Sequence, residues 1–128
     1  MTATLAPEPT RECIDACADC AEACHACADH CTQQTDPQLL ACIRLCLSCA
    51  DACVACLPSL ARNANYQQLC RACAELCDAC ATECERFDDE IMRQCAQACR
   101  RAAQACRQMV LPGVLDEDVA VVASDQTL

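Results

Sequence analysis

Apolar residues recur along most of this chain at intervals of three and four, with charged and amide residues filling the positions between them. That is the period of an amphipathic α-helix, in which every third or fourth side chain returns to the same face. The recurring residue is cysteine. A first segment holds Cys13, Cys17, Cys20, Cys24, Cys27 and Cys31, and a second holds Cys42, Cys46, Cys49, Cys53 and Cys56. A third holds Cys70, Cys73, Cys77, Cys80 and Cys84, and a fourth Cys95, Cys99 and Cys106. In the first three segments the steps alternate strictly between three and four, which confines the sulfurs to a stripe about 80° wide. The fourth segment follows the same rule with Ala102 standing where another cysteine falls due, and its stripe continues outward to Met92 and Met109.

The segment ends carry turn signals. Thr10 is expected to cap the first helix, Asp36 and Pro37 to open the second as N-cap and first helical residue, and Asn63 or Asn65 to open the third. Asp88, Asp89 and Glu90 place negative charge at the start of the fourth, where the helix dipole favours it. Pro58 is expected to close the second helix and Pro112-Gly113 the fourth. Short connections favour antiparallel neighbours, so the predicted fold is all-α: an up-down-up-down four-helix bundle with a cysteine-lined core, about 30 Å long. Residues 1–9 read as an N-terminal extension, 10–111 as the bundle and 112–128 as a tail that breaks the pattern. Tyr66 and Phe87, near helix boundaries, are expected to seal the bundle ends.

Composition narrows the chemistry. Nineteen cysteines in 128 residues, with one Gly, one Phe, one Tyr and no Trp, suit an alanine-rich helical protein better than a loop-rich disulfide scaffold. Neighbours at these spacings have Cβ atoms about 5–6 Å apart, beyond the usual reach of a disulfide. Cysteine also behaves as a small hydrophobe, so a purely structural thiol core packed with alanine is the bland alternative. It gives up the apolar area of Leu or Ile for a reactive group on every helix. The first ten residues have neither a basic nor an apolar leader region, which leads us to expect a cytoplasmic protein with reduced thiols. No uninterrupted apolar run approaches a membrane span. A formal charge of −10 disfavours nucleic acid and anionic membranes as partners. No arrangement of nucleophile, base or phosphate loop is discernible, so no enzymatic activity is expected.

Soft thiolates select Cu(I), Zn(II) or iron-sulfur clusters. Six CxxC pairs occur, but the ferredoxin run of cysteines followed by Pro does not. Charge balance separates copper from zinc. A four-thiolate zinc site carries a net charge of about −2, and a core filled with such sites accumulates buried charge at large cost. One monovalent ion per thiolate leaves the core neutral, which gives a loading on the order of 20 Cu(I) per chain. General sequestration of zinc or cadmium stays open as an alternative, as does an iron-sulfur or thiol redox protein. Alternating helix directions are expected to gather Cys31, Cys42, Cys84 and Cys95 near one end with Met92 just outside. Cys13, Cys17, Cys56 and Cys70 gather near the other with Met109, and a middle layer of Cys24, Cys49 and Cys77 faces Ala102. Met92 and Met109 are candidates for handing copper in or out, or simply fill gaps. His25 and His30 fall off the stripe, His30 being the better candidate ligand.

With CIDACADCAEACHACADHC (Cys13–Cys31) and its three counterparts in view, the chain resembles the bacterial copper storage proteins, in particular their cytosolic branch without a leader. The resemblance covers about residues 10 to 111. It implies a bundle filled with Cu(I) held by the cysteines above, a storage role in the cytosol and a homo-oligomer, commonly a tetramer. It also implies His or Met ligands near one open end, for which Met109, Met92 and His30 are the available residues. The tail after Pro112 has no counterpart in it.

Overall fold

The computed structural model describes residues 7–110 and contains four α-helices. They are α1 (Glu8–Gln33), α2 (Leu40–Arg62), α3 (Gln67–Cys84) and α4 (Glu90–Met109), with a 3-10 turn at Pro37–Leu39 leading into α2. Each helix packs against two others, α1 and α3 both lying between α2 and α4. Sulfur neighbours fix the directions. Cys13 meets Cys106 and Cys24 meets Cys95 across α1 and α4, while Cys42 meets Cys84 and Cys53 meets Cys73 across α2 and α3. Those pairings run oppositely along the chain, as an antiparallel up-down-up-down bundle requires.

The predicted stripe is the core. All nineteen cysteines are at most 1% exposed, and the alanines beside them (Ala16, Ala50, Ala74, Ala81 and Ala103) are buried too. Small residues let the helices approach, so that cysteine sulfurs rather than branched side chains fill the centre. Larger side chains close the ends. Leu39, Met92 and half-buried Phe87 stand at the Cys31 end; Leu60 with half-buried Tyr66 and Met109 stands at the Cys13 end. Arginines of α4 tie the outside together. Arg100 pairs with Asp78 and Glu85 of the α3 side, and Arg101 with Glu12 and Asp19 of α1.

Several helix ends differ from the sequence expectation. α1 starts at Glu8, ahead of Thr10, because Pro7 and Pro9 suit a first turn whose N–H groups have no helical partner. Thr10 is instead buried, its hydroxyl donating to Met109 Sδ at 3.9 Å. Pro58 lies inside α2, not at its end. The carbonyl that loses its donor there belongs to Val54, on the exposed face where water can satisfy it. α2 ends at Asn63 in the left-handed conformation (φ 56°), with Asn63 N–H bonded to Leu60 O and Ala64 N–H to Ser59 O. That is a Schellman close, so Asn63 terminates α2 instead of opening α3. α3 begins at Gln67 with no side-chain cap. Asp36 does cap its 3-10 turn through Gln38 N–H, and Asp89 caps α4 through Met92 N–H at 3.0 Å. The expectation at Pro112-Gly113, and the tail as a whole, lies outside the described residues.

Among the described residues one helix segment, Pro37–Arg62, is long and apolar enough to cross a membrane, with a mean hydropathy of 1.9 over its best window. The expectation of no such segment counted only uninterrupted apolar runs. Cys and Ala raise the mean, and 39% of that window, the thiol face included, is buried inside the bundle.

Candidate metal centre

The four stripes converge into one column of sulfur. Cys42 and Cys84 stand 3.3 Å apart at one end. From there links of 4.0 Å or less run without a break through Cys46, Cys80, Cys95, Cys24, Cys99, Cys20, Cys49, Cys77, Cys53 and Cys73. A second, shorter set joins Cys13, Cys17 and Cys106 at 3.7 Å. Cys27 and Cys31 are 4.0 Å apart at the first end. The two sets approach through Cys17, Cys56, Cys73 and Cys106, whose sulfurs lie within 4.8 Å of one another.

Those separations suit metal better than covalent bonding. All nineteen cysteines are free, and a disulfide needs sulfurs about 2.05 Å apart. A metal–thiolate bond of about 2.3 Å places sulfurs about 3.8 Å apart around a tetrahedral ion, about 4.0 Å around a trigonal one and about 4.6 Å across a linear one. In the groups Cys20/Cys24/Cys49/Cys99, Cys24/Cys46/Cys80/Cys95 and Cys27/Cys46/Cys84/Cys95 all sulfurs lie within 4.8 Å of one another, close to those separations.

Ala102 acts differently from the expectation. The middle layer was expected to hold Cys24, Cys49 and Cys77, but the α1 member is Cys20, 3.8 Å from Cys49 and 4.0 Å from Cys77. The group Cys20/Cys49/Cys53/Cys77 takes no ligand from α4 and two from α2. Cys53 thereby supplies the sulfur that α4 omits. The next step, from Cys73 to the Cys13/Cys17/Cys106 set, runs through the Cys17/Cys56/Cys73/Cys106 group, whose sulfurs lie within 4.8 Å of one another. A one-step shift of α1 against α2 is invisible in the cysteine spacing, since every helix repeats the same pattern.

The remaining candidates sit around this column. Met92 is buried (1% exposed) among the core residues near Cys95, and Met109 is half-buried against Thr10. His30 lies off the thiol face with its side chain 34% exposed, Nε2 being 2.8 Å from Asp89 Oδ2. That pairing of His30 with the α4 cap was not legible from spacing, because it spans 59 residues. His25 is exposed. Cys31 lines a surface pocket of about 250 Å³ together with Asp36, Leu40 and Ile43.

Packing thiols together also redistributes their protons. Burial pushes Cys31 up to about 11, with nearby Cys42 adding to the effect. Cys56 is held down at about 5 by hydrogen bonds with Cys106, Cys17 and Cys70, and Cys80 at about 6 by hydrogen bonds with Cys24 and Cys46. Thiolates and thiols thus share hydrogens along the column, and thiolate is the form that binds metal.

Comparison with known proteins agrees with this geometry. A family profile described as copper storage protein matches residues 6–111. The chain is similar in structure to a Cu(I)-bound copper storage protein, BsCsp3, at 35% identity and a TM-score of 0.77, covering 81% of this chain and all of that one. It is similar to apo copper storage protein 3 from Bacillus subtilis at 36% identity and a TM-score of 0.74, covering 80% and 99%. A cytosolic copper storage protein from Streptomyces lividans with five coppers gives 39% identity and a TM-score of 0.74, covering 80% and 92%. No curated protein sequence matches. A profile spanning all four cysteine-bearing helices, joined to likeness over nearly the whole length of solved relatives, places this chain in the copper storage protein family.

Proposed function

We propose that this protein stores and buffers Cu(I) in the cytosol, with its nineteen cysteines as the ligands and roughly one ion per thiol. The observation that carries the reading is the column of free, buried sulfurs spaced for bridging coordination. Each monovalent ion cancels one thiolate, so filling the column builds up no charge, and a sulfur can serve two ions. The role is binding; the chain catalyses nothing. Met109 at the Cys13 end and Met92 at the Cys31 end are placed to pass copper to the first thiols, and His30 stands beside the latter end through Asp89. The Streptomyces lividans relative described as cytosolic supports the same compartment here. By resemblance the working form is a homo-oligomer, commonly a tetramer.

Anaerobic Cu(I) titration against a competing chelator tests the reading. Saturation on the order of 20 equivalents is expected, and saturation near four or five overturns storage. The four-sulfur groups give a second reading a specific basis, since each would also hold a tetrahedral Zn(II) or Cd(II). Charge limits it to a few ions. Parallel titration with Zn(II) should stop at a small fraction of the copper loading.

A further inference from the structure

Between α3 and α4, at the Cys13 end of the bundle, lies a cavity of about 300 Å³ lined by Arg71, Ala74, Glu75, Arg107 and Val110. Positions 71, 74 and 75 share one face of α3, being three and four residues apart. Ala74 is buried and forms the floor, whereas Arg71, Glu75 and Arg107 are exposed and form the rim. The volume is at the lower end of the range for small-molecule sites. The chain has nineteen acidic residues against nine basic ones, so two guanidiniums converging on one cavity run against its general charge.

The charges on the rim specify a complement. Among the described residues Arg71 and Glu75 take part in no ion pair. Arg107 pairs with Asp78, which it shares with Arg100, and a guanidinium has N–H donors enough to hold a second carboxylate as well. Two carboxylate binders and one ammonium acceptor therefore face the cavity, which suits a small molecule with two carboxylates and one ammonium. Sulfur lies directly behind. Cys70 and Cys106, buried, immediately precede the two arginines, and Cys106 is 3.7 Å from Cys13. Val110 lines the cavity and adjoins Met109, the half-buried thioether of that end. Cu(I) is a soft ion that travels on soft ligands, and small thiols are the abundant ones in a reducing cytosol.

We infer that this cavity docks a small peptide thiol carrying Cu(I), with its carboxylates on Arg71 and Arg107 and its ammonium on Glu75, beside the thiols that open the column at the Cys13 end. Transfer is ligand exchange without redox. A Cu(I) held by two peptide thiolates passes to the sulfurs of Cys13 and Cys106, so that two copper–sulfur bonds break and two form. The protons of the two protein thiols go to the released peptide thiolates, and copper stays Cu(I). The inference rests on the Cu(I) storage reading and assigns its donor.

The test is the rate at which the copper-free full chain takes Cu(I), anaerobically, from two donors: the glutathione complex, which has both carboxylates and the ammonium, and the 2-mercaptoethanol complex, which has neither. Arg71→Glu should slow transfer from glutathione by about tenfold or more while changing transfer from 2-mercaptoethanol by less than about twofold. Arg71→Lys, which keeps the charge, should retain most of the wild-type rate. S-methylglutathione, which cannot carry copper through its sulfur as a thiolate, should bind the copper-free wild type in calorimetric titration and fail to bind Arg71→Glu. Unchanged helical circular dichroism and an unchanged final copper capacity show that the variants keep the fold and the column. Equal slowing with both donors, no slowing with either, or a wild type that does not bind S-methylglutathione overturns the inference. A wild type that binds S-methylglutathione in an Arg71-dependent way but loads copper from neither donor sinks the storage reading instead, leaving the cavity with its peptide ligand.

Discussion

At the scale of single residues, the thiol column is defined as much by where sulfur is missing as by where it is present. Ala102 is fully buried, and its methyl group lies where the fourth helix owes a ligand. Ala102→Cys should therefore add a ligand on the fourth helix and raise the copper capacity by about one equivalent, measured by anaerobic titration. In the copper-free protein the larger side chain overfills a packed site, costing about 1–3 kcal/mol in urea unfolding. A variant that loses stability without gaining an ion would show that Cys53 already completes that level. Proton chemistry distinguishes the thiols in turn. Cys31, raised from 9.0 to about 11, is protonated at neutral pH and must lose a proton to bind copper. Its neutral form contributes stability that is complete below about pH 9 and is lost as pH rises through about 11. Cys80, held at about 6, is already a thiolate at neutral pH; its contribution is present above 9 and is lost as pH falls through about 6. Thiolate absorbance of the copper-free protein, compared with Cys31→Ser and Cys80→Ser, should show the missing transitions near those two values.

At the scale of the helices, end chemistry and tertiary contact divide the work. Asp89 both caps α4 through Met92 N–H and holds His30 at 2.8 Å. Replacing it with Ala should cost about 1 kcal/mol in urea unfolding of the copper-free protein, with Asn recovering most of the loss because it can still cap. An Asn variant as weak as Ala would place the energy in the His30 contact instead. The elements themselves were legible in the sequence, because an unbroken alternation of threes and fours fits no other regular structure. Their ends were only partly so. Asp36 and Asp89 acted as the caps their side chains suggest, whereas Thr10 and Pro58 did not. Thr10 was claimed by a partner on α4, and Pro58 was tolerated because its orphaned carbonyl faces water. Asn63 chose the end of α2 over the start of α3, since its left-handed backbone satisfies two carbonyls there. Among the site residues, the inward direction of every cysteine followed from periodicity. The register of one helix against the next did not, since four near-identical repeats can be slid by a step without burying a polar group.

At the scale of the whole molecule, the sequence has placed reactive thiols where a bundle normally keeps its branched hydrocarbon. A buried Leu removes more apolar area from water than a Cys, so the copper-free core has less to hold it together than its helical content suggests. What it lacks in hydrocarbon is supplied from outside by the α4 arginines and at the ends by Leu39, Leu60, Met92, Tyr66 and Phe87. Metal changes the balance, because any ligand bound only by the folded state stabilises it in proportion to the logarithm of its excess over the dissociation constant. A single site at a hundredfold excess contributes about 2.7 kcal/mol, and sites on all four helices add cross-links between them. Loaded protein should therefore melt well above copper-free protein, and the gain should vanish when a strong Cu(I) chelator strips the ions under anaerobic conditions. Because the sulfurs are already spaced for coordination before any metal arrives, stripping should leave the helical circular dichroism unchanged at room temperature. A bundle that unfolds on losing copper would mean that the metal shapes the core; one that merely softens would mean that the chain builds the column first and copper fills it.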